Sequence, residues 1–203
     1  MKPGGTICGT TLWPVRYSGR SAVRIGLSTG GKGTMAVFVA LLRAINVGGT
    51  GLLPMKELAA LCADSGFVGA RTYIQSGNVV FASALSEPEV KAELERALAE
   101  RMNKRVDVAV RSAAELRATL ASNPFPDAQS ARVGVLFLCE PAPAGLLEGL
   151  VILGREVVHL VNREIFIHYP DGMGQSKLKL PTAALGTVRN LNTVAKLVAM
   201  ATT

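Results

Sequence analysis

Three polar stretches of the chain combine residue types that could hold a ligand. The first is Arg43-Ala-Ile-Asn46-Val-Gly48-Gly49-Thr-Gly51, followed by Pro54 and Lys56. Successive glycines let backbone N–H groups converge on an anion, and a helix opening at Pro54 adds about half a positive charge at its start. Arg43 can bridge two oxygens of a phosphate or carboxylate, and Lys56 falls in the first helical turn. The competing reading is a glycine-rich connection whose Arg pairs with a nearby carboxylate. The second stretch is Tyr73-Ile-Gln75-Ser76-Gly77-Asn78. Gln, Ser and Asn at such a turn either satisfy their own backbone or present a polar edge to a base, sugar or amide. The third is Asp171-Gly-Met-Gly-Gln-Ser176-Lys177, where a loop lysine can close over an anion beside Arg189, Asn190 and Asn192. Its alternative is a tight turn with Ser176 capping backbone. It lacks the alternating oxygen ligands of a calcium loop.

Other chemistries are disfavoured. His159 and His168 lie nine apart on expected strands and form no recognisable metal-ligand spacing. Cys8, Cys62 and Cys139 are odd in number and form no CxxC, so neither a disulfide framework nor zinc is expected, and a reducing cytoplasm is the default. There is no GxSxG elbow, and Gly172 and Gly174 lack the third glycine of a dinucleotide fingerprint. Glu93, Glu95 and Glu100 share a solvated helix face with Lys and Arg, which argues against a glycosidase pair. No metal and no cofactor are expected.

The chain has 203 residues, 49% hydrophobic and 18% charged, with a net charge of +7. That is globular composition, and no apolar run reaches the roughly 18 residues of a membrane span, so no membrane partner is expected. The charge suggests nucleic acid until it is located. Residues 1–34 hold Lys2, Arg16, Arg20, Arg24 and Lys32 and no acid, which leaves only +2 for residues 35–203. We read 1–34 as a disordered basic leader or a misassigned start. Its Gly26–Thr34 segment approaches GxxxxGK[ST], but Gly33 replaces the hydroxyl and the segment precedes a strand instead of following one.

The elements that would position these residues follow from periodicity. Met35–Ala44 reads as a central strand and Met55, Leu58, Ala59 and Cys62 as a helical stripe ending before Gly66. Strands are expected at Val68–Gln75 and Asn78–Ala82, a helix at Glu87–Met102, a strand at Val106–Val110 and a helix at Ala113–Ala121. The order βαββαβ is that of a ferredoxin-like unit. Asn123-Pro-Phe-Pro-Asp127 marks a boundary. Beyond it come a strand at Arg132–Cys139, short helices at Pro143–Leu150 and Pro181–Leu185, a hairpin of Glu156–Val161 with Glu164–Tyr169, and a helix at Leu191–Ala201. We therefore expect an α+β chain of two tandem ferredoxin-like (α/β plait) domains with antiparallel sheets, at 35–122 and 131–203, joined by a linker at 123–130.

The wording of residues 35–203 resembles a bacterial family, domain of unknown function (DUF) 1697. The resemblance rests on Leu41-Leu-Arg-Ala-Ile-Asn-Val-Gly-Gly49, Leu53-Pro-Met-Lys-Glu-Leu58, Arg71-Thr-Tyr-Ile-Gln-Ser-Gly-Asn-Val-Val-Phe81, Asp171-Gly-Met-Gly-Gln-Ser-Lys-Leu178 and Arg189-Asn-Leu-Asn-Thr-Val194. It implies two α/β-plait domains, a start near Met35 and no established activity. Ala44 stands where the resemblance implies Gly, and Leu191 where it implies Trp.

Three functions compete. The first is binding of a small anionic or phosphorylated ligand, including a nucleotide, through Arg43, the Gly48-Gly49 loop and Lys177, with Gln75 and Asn78 orienting the rest. The second is an enzyme acting on a phosphate ester or acyl phosphate, by loose analogy with acylphosphatase. The third is RNA binding on an open sheet face carrying Tyr73 and Phe81, which ranks last because it lacks an RNP pattern and a basic body.

Overall fold

The apolar run after Met35 becomes a central strand because both of its faces are covered. In β1 (Ala36–Leu42), Phe38, Ala40 and Leu42 join one core cluster while Val39 and Leu41 join another, so nothing along it needs to be polar. The computed structural model describes residues 34–46, 52–180, 183 and 185–203, all within one compact unit. The leader, its Gly26–Gly33 stretch and Gly48, Gly49 and Gly51 lie outside the described residues.

The chain is α+β, with two four-stranded antiparallel sheets and four α-helices among the described residues. The first sheet runs β2-β3-β1-β4, built from β1, β2 (Val68–Tyr73), β3 (Asn78–Ser83) and β4 (Val108–Ser112). Helices α1 (Met55–Asp64) and α2 (Glu87–Met102) connect its strands and cover one face through Leu58, Cys62, Val90, Leu94 and Leu98. Each helix shows the expected i, i+3, i+4 spacing of apolar residues. Ser86 before α2 and Ser112 before α3 (Ala113–Ala121) open capping boxes, with the backbone N–H of Ser112 donating to Glu115 at 2.9 Å and that of Glu115 to Ser112 at 3.2 Å.

The second sheet repeats the order as β6-β7-β5-β8, from β5 (Val133–Leu138), β6 (Val157–Val161), β7 (Glu164–His168) and β8 (Gly186–Asn190). Its inner face (Val133, Val135, Phe137, Phe166) shares one core cluster with Val39, Leu41, Val80 and Ala109 of the first sheet, Leu116 of α3, and Val194 and Leu197 of α4 (Leu191–Thr202). The second core is thus common to both halves of the chain. The outer face is covered by Leu146, Leu147, Leu178 and Leu180 from connecting segments.

One expectation for this half is corrected, and one strand was not anticipated. Pro143–Leu150 is a series of turns and not a helix. Gly145 and Gly149 adopt φ of 69° and 72°, a left-handed conformation that ends a right-handed turn before it can propagate. Gly186–Asn190 is a strand, pairing Thr187 with Phe137 and Arg189 with Val135. Five residues with an internal Arg gave no alternation to read. Three of the five residues of Pro181–Leu185 lie outside the described residues. No helix among the described residues is long and apolar enough to cross a membrane.

Candidate functional site

The first two polar stretches meet at one place. After β1 the chain turns through Ala44 and Asn46, at φ of 48° and 56°. Ala44 therefore occupies a conformation that favours glycine, which is the residue the family resemblance implies there. The Asn46 side chain clamps the base of the segment that follows. Its Oδ1 accepts from the Leu53 N–H at 2.7 Å, and its Nδ2 donates to Leu53 O at 3.0 Å and to Gln75 O at 2.9 Å. Leu53 is itself buried in the first core cluster. Immediately beyond, Pro54 supplies no side-chain cap to α1, and Lys56 is exposed in the first turn.

Arg43 donates to Asp107 Oδ2 at 3.1 Å, as the plain reading of that loop anticipated. Asp107 also accepts from Arg105 Nε at 2.7 Å. Burial pushes the Asp107 carboxyl up, but hydrogen bonds and charge from Arg105 and Arg43 outweigh it and hold the group below the usual carboxylate range.

The Tyr73–Asn78 turn carries Ile74 at φ 50°, an uncommon conformation for a β-branched residue, with its side chain 48% exposed. Gly77 sits at φ 75°, and a Cβ there would stand 2.4 Å from Ile45 Cγ2. The close approach lets the Leu42 N–H donate to Gly77 O at 2.8 Å. Asn78 is fully buried, and its Nδ2 donates to Tyr73 O at 2.8 Å and to Ser76 Oγ at 3.0 Å. Gln75 remains exposed.

Arg189 belongs to this cluster and not to the third stretch. From β8 it donates through Nε to Asn78 Oδ1 at 2.5 Å and through Nη1 to Thr187 Oγ1 at 2.5 Å and Val188 O at 2.9 Å. Its Nη2 donates to Leu42 O at 2.9 Å and Ser76 O at 2.8 Å. All five N–H groups are committed, so Arg189 fastens β8 to β1 and the β2–β3 turn and has no donor left for a ligand. No carboxylate faces it, and burial pushes the guanidinium down to about 10.

The third stretch stands apart. Asp171 is paired with Arg155, the Ser176 hydroxyl donates to Glu156 Oε1, and Lys177 is exposed. These residues line a cavity of about 140 Å3 with Leu153 and Tyr169. Glu156 Oε2 is buried without a hydrogen-bond partner, and burial followed by the Glu156 charge raises the Tyr169 phenol. Asn190 caps α4, accepting from the Asn192 N–H at 3.0 Å and donating to Ala131 O at 2.8 Å, while Asn192 is exposed.

Sequence reading overlooked the charged groups that join the halves. Arg111 and Glu164 have side chains only 3% and 4% exposed, paired at 2.6 Å, and Arg111 also donates to Leu138 O at 3.0 Å. Arg163 forks onto Glu87 at 2.9 Å and reaches Glu115 at 3.1 Å. The available signal was Arg111 itself, a charge directly following the apolar run Val108–Val110. Burial pushes the Cys62 thiol up to about 12 and, with Asp107 nearby, that of Cys139 to about 11, so both are poor nucleophiles at neutral pH. His159 and His168 each stand 5.4 Å from the Phe125 ring, and no acid–thiol–imidazole group among the described residues is placed to hold a metal ion.

Phe81 is buried against Phe67 with ring centroids 4.4 Å apart, and Tyr73 is half-buried beside the shared core.

A solved structure of a conserved bacterial protein, SP0830 from Streptococcus pneumoniae, is similar to this chain, with a TM-score of 0.72 and 27% identity over 82% of this chain and 99% of that one. No curated protein matches the chain. A model of the family described as protein of unknown function (DUF1697) matches residues 35–166, short of the third polar stretch and of Arg189. Matched through its first sheet and into its second, the chain belongs to the protein family of unknown function DUF1697.

Proposed function

We propose that the protein binds a small anionic or phosphorylated ligand where the segment after β1 meets α1. The observation that carries this reading is the Asn46 clamp. It ties the turn after β1 to Leu53, just ahead of a helix without a side-chain cap, and brings the exposed Ile74–Gln75 turn alongside. The first N–H groups of α1 and the Lys56 ammonium supply positive potential there. Gln75 contributes an amide to the non-phosphate part of the ligand. Arg43 acts from a distance, since Asp107 already holds it. We further propose that each sheet is a ferredoxin-like plait, with domains at 35–122 and 131–203. The repeated strand order supports this, and each sheet draws its strands from one half of the chain.

The test is thermal unfolding against inorganic phosphate, nucleoside monophosphates and nucleoside triphosphates. A bound ligand at 100 times its Kd adds about 2.7 kcal/mol of stability, a Tm rise of several degrees. Lys56→Glu, on an exposed helix face, should abolish the rise without lowering the unliganded Tm by more than about 1 °C, because surface substitutions cost little. No rise with any of these anions, or a rise indifferent to Lys56→Glu, overturns the proposal.

A further inference from the structure

A second concave surface lies on the outer side of the second sheet, sharing no residue with the loop just described. Gly149, Leu150, Val151 and Leu153 line a groove of about 590 Å3 together with Lys177 and Lys179. Val151, Ile152 and Leu153 are 68%, 37% and 82% exposed, unusual for consecutive large apolar residues on one segment. The lysines face the groove for a reason visible in the local pattern. Leu178 and Leu180 turn inward onto the outer core cluster, so in an extended segment Lys177 and Lys179 turn outward together, about 7 Å apart.

No acid lines the groove. Glu148 folds toward Gly145, and Lys177 also borders the adjoining cavity, where Asp171 pairs with Arg155 and Glu156 accepts from Ser176 through one oxygen only. Among the described residues neither lysine pairs with a carboxylate, whereas Arg43, Arg111, Arg155 and Arg163 all do. An apolar wall beside two unneutralised ammonium groups complements an anion that carries an apolar body.

We propose that this groove binds a single medium-chain acyl carboxylate, its alkyl chain along Leu150, Val151 and Leu153 and its carboxylate between Lys177 and Lys179. Burial of the chain supplies affinity and the lysines select the sign of the head group.

The experiment is a calorimetric and NMR titration of the full chain with octanoate, decanoate and dodecanoate below their micelle-forming concentrations. Binding should be saturable, shift the methyl signals of Val151 and Leu153, and tighten two- to fourfold for each added methylene. The exposed double variant Lys177→Glu/Lys179→Glu, with unchanged circular dichroism, should weaken decanoate at least tenfold. Decyltrimethylammonium and decanol should bind more weakly than decanoate. Equal binding of either shows a merely greasy surface and overturns the proposal. It is also overturned by absence of saturation, by sedimentation showing a second copy over the groove, or by adsorption to anionic vesicles in preference to monomeric decanoate. Failure here leaves phosphate binding at Lys56 untouched.

Discussion

Replacing Arg189 with Ala tests whether that residue is a fastener or a ligand contact. The substitution removes the guanidinium donors from Ser76 O, Asn78 Oδ1 and the Thr187 hydroxyl, and leaves Leu42 O with only the 3.4 Å side-chain bond from Thr187. Hydrogen bonds from a charged donor contribute about 1.5–3 kcal/mol each, and an orphaned buried acceptor costs about 1–3 kcal/mol. Against this stands the relief of desolvating a guanidinium that no carboxylate faces. The net expected loss is about 3–5 kcal/mol. Arg189→Lys keeps the charge but reaches fewer acceptors and should lose about half as much. In urea unfolding followed by far-UV circular dichroism, Arg189→Ala and Asn78→Ala together should show a coupling of about 1–2 kcal/mol, since each removes the other's partner. A loss below about 1 kcal/mol for Arg189→Ala at unchanged m-value, or no coupling, refutes the reasoning. A variant as stable as the parent that fails to bind an anion would return Arg189 to the ligand set.

Three further outcomes follow from the same structure. Arg111→Ala strands Glu164 in the interior and should cost about 3–5 kcal/mol, whereas Arg111→Met/Glu164→Leu should lose far less, and equal losses in chemical denaturation would contradict a buried pair. Ala44→Gly should raise stability by about 0.5–1 kcal/mol by relieving the left-handed conformation at φ 48°, and a Tm decrease would show that unfolded-chain entropy dominates instead. Asp107 and Glu115 are both held below the usual carboxylate range. In each, burial pushes the pKa up but is outweighed, by Arg105 and Arg43 for Asp107 and by Ser112 and Arg163 for Glu115. Because their folded values are depressed, the stability they contribute is present above the unfolded value near pH 4 and is lost as pH falls through the folded value. Tm measured from pH 6 downward should therefore fall, and Asp107→Asn should flatten the decline; an unchanged slope would argue against the Arg43–Asp107–Arg105 cluster.

Much of the fold was legible because burial on both faces leaves a simple trace. β1 reads as unbroken apolar residues and α2 as a stripe with a charged outer face. The connections of the second half were not legible. Apolar residues of the Pro143–Leu150 segment suggest a helix, yet Gly145 and Gly149 turn left-handed and the leucines cover the sheet from a loop. β8 was hidden because its residues are chosen for the seam, with Arg189 bonding across it and Gly186 lying where a Cβ would meet Phe137 O at 2.2 Å. Of the candidate site, the sequence reading set Gln75 and Asn78 beside the Arg43 loop, but it did not foresee Arg189 joining Asn78 and Ser76, or the separation of Asp171, Ser176 and Lys177 from Arg189.

By itself the sequence determined which segments could be buried, and so the strands and helices of the first half, and the family. Those properties depend on residues near in sequence, through periodicity, capping and motif wording. Only the tertiary structure decided that Arg189 spends donors on the Asn78 side chain 111 residues away and on the Ser76 and Leu42 carbonyls 113 and 147 residues away, and that Arg111 finds Glu164 across the seam. A polar side chain has the same identity whether it meets a ligand or a buried carbonyl. What it faces is set by the packing of the two sheets, which no local pattern records.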